Sequence, residues 1–152
     1  MKNNSPLEKY YNLSPDKIDA KESDYLYVNK SQIPDSGKGL FTSLYIYKDE
    51  IISVFKGELL TEELATSRSE NKKDGYFINM PDGSIMDSMN VKCFAKYAND
   101  AEGLNNAGFK NNSFISMDEQ NRVCVVAKRD IKVGEEVFCS YGKRYWKNIT
   151  HN

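Results

Sequence analysis

From Tyr25 onward, apolar and β-branched residues come in runs of four or five, separated by turn-forming residues. That spacing predicts short strands at 25–28, 51–55, 76–80, 84–87, 113–116 and 123–127. Pro81-Asp82-Gly83 joins the third and fourth runs and is a strong turn signal. The run at 123–127 is apolar on both faces, which predicts a buried strand. One helix stands out, over roughly 61–70, where Thr61 can cap and Glu62 and Glu63 favour the first turn. Many short strands with one clear helix mean a mostly β protein.

A chain of 152 residues is one domain by length and can bury a real core. The first two dozen residues are rich in Asn, Lys, Asp and Ser and are broken by Pro6 and Pro15. They read as a partly ordered N-terminal extension (1–24), before a domain at 25–146 and a tail at 147–152. Lysine and arginine (21) nearly balance aspartate and glutamate (22), which argues against a dedicated nucleic-acid binder. Cys93, Cys124 and Cys139 lie far apart, so neither a disulfide framework nor a zinc site is indicated, and buried free thiols are expected. With no long apolar run and no signal sequence, the expectation is a soluble intracellular protein with no membrane partner.

Three segments carry candidate chemistry. Gly37-Lys38-Gly39 lies in a loop between strand-like runs, where two glycines permit a tight turn or close approach of a ligand to the backbone. Ala95-Lys96-Tyr97-Ala98-Asn99-Asp100 reads as a helical turn ended by two side chains that form backbone-like hydrogen bonds. Near the C-terminus, Lys132-Val133-Gly134 turns into a strand over 137–141. Alternation there puts Val137, Cys139 and Tyr141 on one face, with Phe138 and Ser140 on the other. Tyr145 and Trp146 follow and complete an aromatic cluster. Such a cluster is ordinary packing, or a wall for a cationic guest.

In this order the segments resemble the conserved blocks of the SET domain of protein lysine methyltransferases, across about residues 25 to 146. Gly37-Lys38-Gly39-Leu40-Phe41 looks like the block whose backbone contacts the methyl donor S-adenosylmethionine. Phe55-Lys56-Gly57-Glu58 resembles the aromatic-x-Gly block. The stretch 76–87 resembles the family's hairpin, with Tyr76 walling the lysine channel and Asp87 closing it. Ala95 to Asp100 resembles the Arg-Phe-x-Asn-His block, with Lys96 in place of arginine and Asp100 in place of histidine. Asn99 is retained, and an insertion at 101–110 delays the second asparagine to Asn112. The last block is 135–142, and its tyrosine, Tyr141, is the family's catalytic one.

The resemblance implies a SET fold: small curved sheets, a short helix and a C-terminal segment threaded beneath a loop. It implies S-adenosylmethionine as cofactor, bound by Lys38, Gly39, Leu40, Tyr97, Asn99, Asp100 and Trp146. It also implies a substrate channel at Tyr76, Cys139, Tyr141 and Tyr145 and a protein partner that presents a lysine. The reaction itself requires no metal, and the zinc-binding cysteines that often flank the domain in related enzymes are absent from this sequence. Histone and ribosomal proteins both stand as candidate substrates. A SET-like module that binds peptides without catalysis is the alternative, motivated by Asp100.

Overall fold

The computed structural model describes residues 16–102 and 108–140. Tyr141, Tyr145 and Trp146 lie outside the described residues, as does most of the N-terminal extension. Three small sheets form the architecture. The largest runs β1 (Asp16–Lys17), β4 (Glu50–Val54), β9 (Val123–Ala127), β8 (Ser113–Met117) and β11 (Cys139–Ser140). A second joins β10 (Glu136–Val137), β3 (Lys38–Thr42) and β2 (Leu26–Lys30), and a third joins β5 (Glu58–Leu60), β7 (Ile85–Asp87) and β6 (Phe77–Asn79). Among the described residues, the helices are a single turn, α1 (Glu22–Tyr25), the longer α2 (Glu62–Glu70) and a 3₁₀ turn at Ala95–Tyr97.

As its composition predicts, β9 is buried along its whole length, between β4 and β8. Its Val125 joins Leu40, Ile46 and Ile52 in the main core, while Val126 packs on the other face with Ile51 and Cys124. Each such side chain contributes about 1.5–3 kcal/mol relative to exposure. All three cysteines are free and buried.

The helix at α2 is built differently. Thr61 caps it by accepting the Leu64 N–H at 3.2 Å, yet of its nine residues only Ala65 is buried. With almost no apolar face, α2 needs another tether. Arg68 provides it, donating to Asp87 Oδ2 at 2.7 Å and to Glu58 at 3.2 Å, and so ties the helix to the third sheet.

Three local expectations change. Tyr25 ends α1 instead of opening a strand, because its side chain turns into the core and its hydroxyl donates to the Ile52 carbonyl at 2.6 Å. Packing also reaches upstream of residue 25: β1 pairs in parallel with β4, and Ile18 joins the main core. Gly39 is not in a loop but inside β3, which begins at Lys38.

The strand foreseen at 137–141 is divided. Glu136 and Val137 pair antiparallel with β3, whereas Cys139 and Ser140 pair in parallel with β8. Phe138 is the crossing point between the two sheets. The alternation survives this change: Val137 and Cys139 enter the main core, while Phe138 packs in a separate cluster with Ile33 and Ala101.

Candidate active site

The segment 136–140 runs between Asn99 on one side and Asn112–Ser113 on the other. Asn99 bridges Phe138 in parallel, and its carbonyl accepts the Cys139 N–H at 2.8 Å. Opposite, the Asn112 carboxamide donates to the Glu136 carbonyl and accepts the Phe138 N–H, both at 2.9 Å. Asn112 is 1% exposed, so it satisfies two backbone groups that water cannot reach. Ser113 Oγ adds a bond to the Phe138 carbonyl at 2.8 Å. These contacts hold the segment where it passes from one sheet to the other.

Asn99 also reaches the glycine block. Its Nδ2 donates to the Lys38 carbonyl at 3.0 Å, so Lys38, Asn99 and Cys139 form one continuous hydrogen-bonded set. Gly37 at φ +64° has open space around it, and Lys38 is exposed. A groove of about 720 Å³ opens along this hairpin, lined by 28–31, Ile33 and 34–38. The exposed Lys38 ammonium beside this open turn fits a ligand that carries a carboxylate.

Gly39 owes its identity to packing beneath this surface. A β-carbon there would collide with the buried carboxylate of Glu136. That carboxylate accepts Ser31 Oγ at 2.7 Å and the Gln32 N–H at 2.8 Å, which ties the start of the hairpin loop to β10. Glu136 was not singled out in the sequence. Its contacts lie about a hundred residues away in sequence, so no local pattern marked it.

Leu40 and Cys139 lie fully buried in the core, below the surface rather than on it. Burial pushes the Cys139 thiol up to about 12, so it stays protonated. Asp100 turns toward the insertion: its Oδ1 accepts the Glu102 N–H and Asn111 Nδ2, each at 2.9 Å. Asn111 returns the tie through its Oδ1, which accepts the Ala101 N–H at 2.7 Å.

Tyr76 and Tyr97 meet at a different point. The Lys96 ammonium lies 5.5 Å from the first ring centroid and 5.3 Å from the second. It donates to the carbonyls of Ser88, Met89 and Val91 at 3.0, 3.3 and 3.1 Å. Three donors meet three acceptors, with two ring faces against the charge. The lysine that stands for the family's arginine thus pins the end of the hairpin, where Asp87 sits 1% exposed against Arg68. Among the described residues no cluster of His, Cys, Asp or Glu could hold a metal, and no helix is long and apolar enough to cross a membrane.

Comparison with curated proteins finds no match. Among solved structures, one that matches is ctPRC2 in an autoinhibited conformation bound to S-adenosylmethionine. The TM-score is 0.64 at 24% identity, over 84% of this chain and 17% of that one. The likeness is therefore one of fold, to a small part of a much longer chain. The SET domain family profile matches residues 37–142, from the first glycine of the β3 block to Gly142. SET domains use S-adenosylmethionine as methyl donor. With its blocks in family order and joined through Asn99, and with most of its length matched, this chain belongs to the SET-domain family.

Proposed function

We propose that this domain is a protein-lysine N-methyltransferase that moves a methyl group from S-adenosylmethionine to a lysine side chain of a protein substrate. The observation that carries the reading is the Asn99 junction. One residue links the glycine block, through Lys38, to the C-terminal segment, through Cys139. Tyr141 follows Ser140, the last residue of β11, directly in the sequence.

In this reading Lys38, Gly39, Tyr97, Asn99, Asp100 and Trp146 hold the donor, and Leu40 packs in the core. The bound donor would supply an electrophilic methyl group. A substrate lysine has a free pKa of ~10.4 and must lose its proton before it can attack. A channel walled by Tyr76 and Tyr145 strips water from the ammonium and lowers that value. In this reading the Tyr141 hydroxyl orients the amine, so that alignment supplies much of the rate.

A second reading, a peptide-binding module without catalysis, draws on Asp100, whose carboxylate is engaged with the insertion. Calorimetric titration with S-adenosylmethionine separates the two. Saturable binding, weakened by Asn99→Ala, supports the enzyme; a folded protein that takes up no donor leaves the module.

A further inference from the structure

A second groove, of about 760 Å³, lies on the part of the molecule where β1 and the 17–23 segment meet β4 and residues 92–94. Its floor is apolar: Ile18 and Cys93 are buried, and Val54 and Phe94 are half-buried. Its rim is cationic. Lys17, Lys21, Lys56, Lys92 and Arg122 line it, against two carboxylates, Asp19 and Glu22. This concentration stands in a chain whose formal charge is −1.

Two of these charges are already committed. Arg122 Nε pairs with Asp118 at 2.7 Å, and Glu22 turns inward to accept Ser53 Oγ and the Val54 N–H. The four lysines are exposed, and among the described residues none of their ammonium groups has an ion-pair partner. Four like charges around one depression repel one another unless an anionic guest relieves them.

We propose that this groove docks an acidic, partly apolar polypeptide segment of a protein partner. Carboxylates would meet the lysines, and an aliphatic or aromatic side chain would rest on Ile18, Val54 and Phe94. The apolar floor favours a polypeptide over a phosphate chain, as do the Asp19 carboxylate on the rim and the absence of a basic excess in the whole chain. Phe94 lines the groove five residues before Asn99. A docked partner would therefore touch the segment that carries Asn99.

The test is fluorescence anisotropy on the full chain, with a labelled peptide that alternates glutamate and leucine. The proposal expects saturable binding that weakens when salt rises from about 50 to about 300 mM. Reversal at Lys56→Glu with Lys92→Glu should weaken binding at least tenfold, and Lys17→Glu with Lys21→Glu should do the same. Lys48→Glu with Lys132→Glu, elsewhere on the surface, should leave it unchanged. Circular dichroism checks that each variant is folded. No binding, or binding indifferent to both groove reversals, overturns the proposal. So does a single-stranded oligonucleotide of equal length that binds the groove more tightly than the peptide. Because the readout is binding without donor, its failure is independent of methyl transfer.

Discussion

Glu136 occupies the space that a side chain at Gly39 would need. The glycine thus admits a buried carboxylate that holds Ser31 and Gln32 in place. Gly39→Ala forces that carboxylate aside and breaks both bonds. We expect a loss of about 2–4 kcal/mol in denaturant unfolding. Combining it with Glu136→Ala removes the collision, so the double variant should lose less than the sum of the singles.

Asn112 is the buried clasp on the C-terminal segment. Asn112→Ala leaves the Glu136 carbonyl and the Phe138 N–H without partners, at a cost of about 2–4 kcal/mol. Asn112→Asp can still accept from Phe138 but faces the Glu136 carbonyl with a second acceptor, so it should not restore stability. Amide exchange at Phe138 and Cys139 reads the effect locally.

Lys96 holds three carbonyls and two tyrosine rings at once. Lys96→Met removes the charge and nearly keeps the length; unfolding should show a loss of about 2 kcal/mol. Lys96→Arg should recover most of it. Equal loss in both variants would contradict a role for the cation.

Burial raises the Cys139 thiol from 9.0 to about 12, and the Cys124 thiol to about 11. Above pH 9 the unfolded chain releases these protons while the folded chain keeps them. The contribution is therefore full below pH 9 and is lost as pH rises toward 12. Stability measured across pH 8–11 should fall, and Cys139→Ala should make the decline shallower. Native thiols should also resist alkylation at pH 8 until the protein is unfolded.

The sequence spoke most clearly where local chemistry dominates. The buried strand at β9, the Thr61 cap on α2 and the inward face of Val137 and Cys139 were legible in residue type and alternation. What escaped depends on contacts remote in sequence. Gly39 lies in a strand because it pairs with Asn29 of β2, and it is a glycine because Glu136, about a hundred residues later, fills the space beside it. The strand at 137–141 divides because Asn99 and Asn112 grip it from two sides, and pattern alone carries no record of either. The resemblance located the site blocks, but their depth is a tertiary property: Leu40 and Cys139 lie in the core. The Tyr76–Lys96–Tyr97 stack joins a hairpin end to a 3₁₀ turn about twenty residues later, a contact that alternation does not encode.

The most direct measurement of the central claim is transfer of labelled methyl from S-adenosylmethionine to a panel of histone and ribosomal proteins, followed by amino-acid analysis of the product. The account predicts label on lysine nitrogen, nearly abolished by Tyr141→Phe in a protein that still folds and binds donor. Transfer undiminished by Tyr141→Phe, or a folded protein that binds no donor and labels nothing, would contradict it.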